Sequence, residues 1–367
     1  MVSEPTVRLP LRGNVRIAIH QRSGSFSARF TQACQELRIP FSQVDGYENG
    51  VVRLLRGHSH FIWHYDHEDP RDRLAAPAVL ATASRMGLTV FPDYNTRWHF
   101  NDKVAQKYLF EATGLPAPTT KVFYSEQDAL ASCRDIRFPV VAKLRSGAGS
   151  ANVKLIRSSQ EARRYIKMMF RKGLQPVPAY TSDLRAKLRR IHSLKQLLPR
   201  LRRFPDRFAY RALVRKSTPA ERGYVLFQEF LPGANHDTRV TVIGDYAWGF
   251  RRRVRPGDFR ASGSGEILYD PIALDPECVR LGFRAARALR MQSCAIDLVH
   301  DQFSRPLIIE ASYGFLPSVV HGAPGRWHVS RGWEDGHFHP EDAILDVLLS
   351  EAASRDTKPL GINSPCI

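Results

Sequence analysis

Apolar positions in the first ninety residues switch between short continuous runs and helical spacings. The run at 15–19 precedes a turn-like Arg22-Ser23-Gly24-Ser25, after which Phe26, Phe30, Ala33 and Leu37 recur every three to four residues. Phe61-Ile62-Trp63 is a second strand candidate, 71–86 a helix stopped by Gly87, and 88–91 a third strand ending at Pro92. Strand, helix, strand, helix, strand in this span predicts a small parallel α/β domain.

The pattern then changes. Residues 101–113 predict a helix with Asn101 as N-cap, Asp102 in its first turn and Gly114 as C-cap, and Pro116 and Pro118 link it to a second unit. That unit reads as strand 121–124, helix 125–133, strand 139–144, a Gly/Ser loop, strand 152–156 and helix 158–171. Strands at 223–230, 238–243 and 246–254 suggest antiparallel pairing, with Gly244-Asp245 as a hairpin turn. Helix 275–290, strands 294–299 and 306–311 and helix 340–352 follow, and 354–367 reads as a frayed tail.

At 367 residues, 43% hydrophobic and 25% charged, the chain has the composition of a globular protein of two or three lobes. No stretch approaches the roughly 20 apolar residues of a membrane span, and residues 1–12 carry no apolar core of a secretory signal. Cys34, Cys133, Cys278, Cys294 and Cys366 show no CxxC or other ligand spacing and read as reduced thiols, so the expected location is cytoplasmic. The net charge of +18 is concentrated: 172–222 holds 14 Lys/Arg against Asp183, Asp206 and Glu221, a balance of +11. Within it Leu184, Leu188, Ile191, Leu194 and Leu198 form a helical stripe ended by Pro199 and flanked by Arg185, Lys187, Arg189, Arg190 and Lys195. Three readings of this segment stand: an interfacial helix on an anionic membrane surface, a docking surface for an acidic polymer, or a solvated helix packed on its own lobe. No motif for specific nucleic-acid recognition accompanies the charge.

The chemistry begins at 139–156, P-V-V-A-K-L-R-S-G-A-G-S-A-N-V-K-L-I. A strand ending in Lys143 runs into a loop, 145–150, whose Ser146, Gly147, Gly149 and Ser150 leave the backbone free to fold over a polyphosphate. Gln228-Glu229-Phe230-Leu231, Asp237-Thr238-Arg239, Asp297 and Glu310 come later, the two carboxylates each on an apolar run. A phosphate loop followed by two separated strand carboxylates is equipment for ATP and Mg2+. The bland alternative for Asp297 is a structural ion pair.

With Asn101-Asp102-Lys103 added, these pieces, in this order, resemble the ATP-grasp superfamily of carboxylate–amine ligases, which includes D-alanine–D-alanine ligase and glutathione synthetase. Gly257-Asp258-Phe259-Arg260 resembles the G-D-F-R of ligases that add amino acids to peptides. The resemblance implies an α/β ATP-grasp fold with an N-terminal parallel α/β domain at 1–100, a small lobe at 101–231 with a basic insertion at 172–222, and a metal-bearing lobe at 232–353. It further implies that Lys103 and Lys143 contact nucleotide phosphates under the 145–150 lid, that Gln228 to Leu231 clasp adenine, and that Asp237 holds the ribose. Arg239 and Arg260 are implied to face the transferred phosphoryl group and the acyl substrate, with Asp297 and Glu310 on magnesium. The family's Glu-x-Asn is here Glu310-Ala311-Ser312, which makes Ser312 the weaker ligand for a second metal.

Ligands of parallel α/β domains gather at the carboxyl ends of strands. His20, Ser23 and Ser25 after the first strand, and His64 in Trp63-His64-Tyr65-Asp66-His67 after the second, are therefore substrate candidates, with Arg253 from the arginine run 251–255. Trp327, Trp333 and His337 lie in a 322–340 loop that either lines the substrate pocket or plugs the core. The implied reaction forms an acyl phosphate and ADP from a carboxylate and ATP, then transfers the acyl group to an amine. Phe91-Pro92-Asp93-Tyr94-Asn95-Thr96 and the tryptophan loop look like those of family members linked to cell-surface polysaccharide assembly, which suggests a sugar acid. The rival readings are a kinase of a phosphate-rich alcohol on the same fold and a non-catalytic, membrane-held ATP-binding scaffold.

Overall fold

A computed structural model describes residues 15–147, 152–177, 218–232, 235–254 and 266–356. Gly149, Ser150, the Gly257–Arg260 motif, the 184–198 helical stripe and the tail beyond 356 lie outside the described residues.

The N-terminal part runs β1 (Ile17–His20), α1 (Ser27–Glu36), β2 (Phe41–Val44), α2 (Val51–Leu54), β3 (His60–Ile62), α3 (Pro70–Arg85), β4 (Thr89–Phe91) and α4 (Tyr94–Arg97). Its sheet is parallel throughout, in the order β2-β1-β3-β4. The strands that were legible in sequence, β1, β3 and β4, are buried along their whole length, and such strands read as continuous apolar runs. β2 escapes that test: it lies at the sheet edge, and Ser42 and Gln43 interrupt its apolar residues. α3 starts at Asp69, whose carboxylate accepts from Arg71 N–H, with Pro70 at its first position.

The small lobe comprises α5 (Lys103–Ala112), β5 (Thr120–Phe123), α6 (Glu126–Ser132), β6 (Val140–Lys143), β7 (Val153–Ile156), α7 (Ser159–Arg171) and β8 (Val225–Glu229). The strands pair antiparallel in the order β5-β8-β6-β7. α7 buries Ala162, Tyr165, Ile166 and Met169 against that sheet, one helical face, and the lobe has a core of its own. The α5 cap differs from expectation. Asp102 is the N-cap, its carboxylate accepting from Val104 and Ala105 N–H, while Asn101 takes a left-handed conformation (φ 58°) one residue earlier.

The large lobe contains β9 (His236–Ile243), β10 (Tyr246–Arg253), β11 (Ile267–Leu268), α8 (Pro276–Leu289), β12 (Ser293–His300), β13 (Pro306–Ser312), α9 (Pro317–His321), β14 (Gly325–His328), β15 (Gly332–Asp335) and α10 (Pro340–Asp356). Its sheet runs β13-β12-β9-β10-β14-β15, with β11 beside β10. Gly244 (φ 55°) and Asp245 make the two-residue turn between β9 and β10, as their spacing predicts. The expected 322–340 loop is instead largely a hairpin, β14–β15, with Trp327 opposite Trp333 and ring centroids 4.5 Å apart.

Strand alternation divides this sheet into two faces. Val240, Val242, Ile296 and Leu298 belong to the buried core under α8, whose Cys278, Val279, Leu281, Gly282, Ala285 and Leu289 are buried. The intervening positions, Asp237, Arg239, Arg252, Asp297 and Glu310, are charged and face the small lobe side. One continuous core joins this lobe to the N-terminal sheet. At the seam Gln292 accepts from Asp93 N–H (2.9 Å) and donates to Val90 O (3.1 Å), and its own N–H donates to Thr96 Oγ1 (2.9 Å). Asp93 and Thr96 of the Phe91–Thr96 phrase thus belong to an inter-lobe joint. Among the described residues no helix is long and apolar enough to cross a membrane.

Gly282 marks how closely α8 approaches the sheet: a Cβ there would stand 2.7 Å from Val240 Cγ1. Helix propensity favours Gly→Ala by about 1 kcal/mol, but overpacking costs roughly 1–3 kcal/mol. Gly282→Ala is expected to lower stability in urea titrations by up to about 2 kcal/mol on balance; a raised midpoint would show that the contact relaxes fully.

Candidate active site

The charged face of the large sheet follows from register. Asp237 lies opposite Arg252, Arg239 opposite Asp297, and Asp297 opposite Glu310, so five charged side chains from four strands share one face. Arg239 grips Asp297 with two parallel hydrogen bonds, Nε to Oδ1 (2.6 Å) and Nη2 to Oδ2 (2.8 Å). Arg252 does the same to Asp237 at 2.7 and 2.5 Å and reaches Asp297 Oδ2 at 2.9 Å. Burial works against a charged Asp297, yet Arg239 and then Arg252 outweigh it and hold the carboxyl well below the usual range. Asp297 therefore stays ionised.

Two lysines face this array. Lys103 Nζ, at the start of α5, stands 3.8 Å from Glu310 Oε1 and donates to Gly147 O at 2.5 Å. Lys143, the last residue of β6, sits in the field of Lys103, Glu310 and Asp297. Burial first, and the Lys103 charge second, lower its pKa to about 8, while Glu310 and Asp297 oppose the shift. Both lysines line a cleft of about 280 Å³ at the junction of the lobes, with Gln228, Leu226, Thr120 and Ile309. Four cations (Lys103, Lys143, Arg239, Arg252) against three carboxylates (Asp237, Asp297, Glu310) leave a net positive charge, suited to an anionic ligand.

The loop after β6 is held from several sides. Gly147 N–H donates to Asn101 Oδ1 (2.8 Å), which is what the left-handed Asn101 is for. Glu221 accepts from Arg145 N–H (2.9 Å), Ser146 N–H (3.1 Å) and Ser146 Oγ. Glu221 also bridges to Leu174 through the backbone, so the two ends of the basic segment meet beside this loop.

Of the expected site residues, the structure brings Lys103, Lys143 and Gln228 to the cleft, and Arg239, Asp297 and Glu310 to the sheet beside it. Phe230 and Leu231 follow β8 and are not among the residues lining the cleft; Glu229 is tied to Thr119, its N–H donating to Thr119 O at 2.8 Å. Other expectations are corrected by what the side chains touch. Asp237 accepts one Arg252 bond on each oxygen and is not among the residues lining the cleft. Ser312 Oγ closes a turn with Gly314 O and N–H (3.0 and 3.1 Å). His20 accepts from Gly46 N–H (2.9 Å) and lies against Trp63; burial lowers its pKa. His64 stacks on Phe26 with centroids 3.6 Å apart and accepts from its N–H, and burial takes its pKa to about 3. Ser25 caps its own turn on Arg22 O, and Ser23 is exposed. Arg253 points to the opposite sheet face and pairs with Glu266 (3.0 Å).

One site residue escaped the sequence reading, and another entered it only as part of a candidate loop. Arg252 sits inside a run of arginines, and only the register with Asp237 separates it from its neighbours. His67, three residues after His64, is the histidine that reaches the site: burial lowers its pKa, with Asp66, Lys103 and Glu310 among its charged neighbours. Its Nε2 is enclosed and makes no hydrogen bond.

A hard divalent cation fits beside Glu310. Asp297 Oδ2 already accepts two arginine N–H groups, whereas Oδ1 accepts one and retains a lone pair. One Asp297 oxygen and the Glu310 carboxylate make an oxygen donor set of the kind magnesium takes together with phosphate oxygens.

A profile of the RimK-like ATP-grasp domain matches residues 212–314, the stretch that carries Arg239, Asp297 and Glu310. No curated protein matches the chain by sequence. Among solved structures the chain is similar to a D-alanine–D-alanine ligase from Bacillus anthracis crystallised with ATP, with a TM-score of 0.52, 12% identity, and 94% of this chain and 98% of that one covered. It is also similar to a RimK domain ATP-grasp protein from Sphaerobacter thermophilus (0.51, 15%, 92% and 99%). A D-cycloserine synthetase gives 0.53, 14%, and 94% and 100%.

The Lys143 environment makes a direct prediction. Below about pH 8 Lys143 is charged and available to an anion, and above it the cleft loses that charge. Affinity for inorganic tripolyphosphate, measured by calorimetry, is expected to fall as pH rises through 8 and 9. Lys143→Arg, whose guanidinium stays charged, is expected to flatten the fall; an identical pH profile in the variant would remove Lys143 from the anion site.

Proposed function

We propose that this chain, a member of the ATP-grasp superfamily, is an ATP- and Mg2+-dependent ligase that activates a carboxylate as an acyl phosphate and passes the acyl group to an amine. The observation that carries this reading is the pairing of Asp297 and Glu310 across adjacent strands, directly before Lys103 and Lys143 at the mouth of the cleft. Leu226, Ile309 and Gln228 offer the adenine an apolar slot with one amide edge.

In this reading Lys143 and Lys103 neutralise the phosphate oxygens, and Arg239 lies where charge gathers on the transferred phosphoryl group. Phosphoryl transfer depends on positioning and charge neutralisation more than on covalent chemistry by the protein. Magnesium on Asp297 and Glu310 would supply further charge compensation between phosphate oxygens. His67, neutral and with an unpartnered Nε2, is the group we assign to take the proton from the attacking amine. The carboxylate is proposed to be a sugar acid or amino acid.

The test is ADP release by the full chain with magnesium and hydroxylamine across a panel of such acids. Hydroxamate formed together with ADP supports the ligase, whereas ADP without hydroxamate favours a kinase. Glu310→Gln and Lys143→Ala are each expected to cut turnover by about 10²–10³ with unchanged circular dichroism. Wild-type rates in both would overturn the site. His67→Asn is expected to spare hydroxamate formation, since hydroxylamine attacks unprotonated, while slowing ligation to an ordinary amine.

A further inference from the structure

The sheet face opposite the cleft carries α8, and three ligand-type side chains converge where that helix begins. Asp275 is its N-cap: Oδ1 accepts from Glu277 N–H (2.9 Å), which leaves Oδ2 turned to His300 Nε2, 2.9 Å away. Cys278, three residues on, places Sγ 3.7 Å from the same nitrogen. The three ligand atoms all lie within 4.8 Å of one another. Atoms around a tetrahedral zinc-type ion stand about 3.4–3.6 Å apart, so small side-chain rotations suffice to close on one. Cys278 is fully buried, while His300 and Asp275 are 28% and 32% exposed, so the cluster is open to solvent on one side only.

Among the described residues Asp275, Cys278 and His300 complete this group of ligand atoms, and its solvent-open side leaves a fourth position to water.

We propose that Asp275, Cys278 and His300, with water in the fourth position, form a site for a zinc-type divalent cation. The mixed sulfur, nitrogen and oxygen set is one that zinc takes, and one thiolate with one carboxylate neutralises the ion. Binding such an ion releases the Cys278 thiol proton to solvent. The bound ion clips the start of α8 to the end of β12, the strand that positions Asp297.

Cobalt titration of the purified full chain tests this. The expected result is one tightly held equivalent with a near-ultraviolet thiolate charge-transfer band and the visible bands of tetrahedral cobalt, both displaced by zinc. Cys278→Ser is expected to abolish the charge-transfer band, and His300→Ala to weaken binding by more than about tenfold, the loss that even an outer-shell partner produces. Glu310→Gln is expected to leave the thiolate band in place. A wild-type spectrum without a thiolate band overturns the proposal whether or not any variant folds, as does a band that survives Cys278→Ser.

Discussion

The buried ion-pair chain Asp237–Arg252–Asp297–Arg239 is the constraint around which the rest of the site is arranged. Two carboxylates on inner strands of a sheet are tolerable only when each is fully paired, and removing one partner of such a pair typically costs about 3–5 kcal/mol. Bidentate guanidinium geometry fixes the orientation of each carboxylate as well as its charge. The consequence is directional. Asp297 keeps its less occupied oxygen, Oδ1, on the face it shares with Glu310, and Lys103 and Lys143 bring positive charge to that face.

The opposite face of the same sheet supplies rigidity. α8 approaches closely enough that Gly282 lies against Val240, and the core beneath it runs unbroken into the N-terminal sheet through the Gln292 joint. The small lobe has its own core and meets that body at the cleft, where Ile308 N–H donates to Pro116 O (2.8 Å) in the linker. The two cores meet across the cleft that Lys103 and Lys143 line.

The sequence was most readable where burial is uniform or strictly alternating. β1, β3 and β4 announced themselves as apolar runs, and the β9–β10 hairpin through Gly244-Asp245. Lys143, Asp297 and Glu310 were found because charged residues at the ends or inside of apolar strands are conspicuous, whereas Lys103, at the start of α5, and Arg239 took their roles from the family resemblance. What escaped depended on register or on tertiary neighbours. Arg252 differs from Arg253 only in which face its strand position selects. His64 and His67 are alike in sequence, and the stacking of one on Phe26 against the enclosed, unpartnered Nε2 of the other is set by tertiary neighbours. Asn101 and Asp102 are both good caps, and the Gly147 N–H decides which of them is needed elsewhere.

The central claim is that Asp297 and Glu310 hold a cation that joins the nucleotide phosphates to the sheet. Calorimetric ATP binding with and without Mg2+, in the wild type and in Glu310→Gln, tests it most directly. The account predicts that magnesium tightens ATP binding in the wild type and that this enhancement disappears in the variant while metal-free binding persists. An equal magnesium enhancement in both proteins would contradict it.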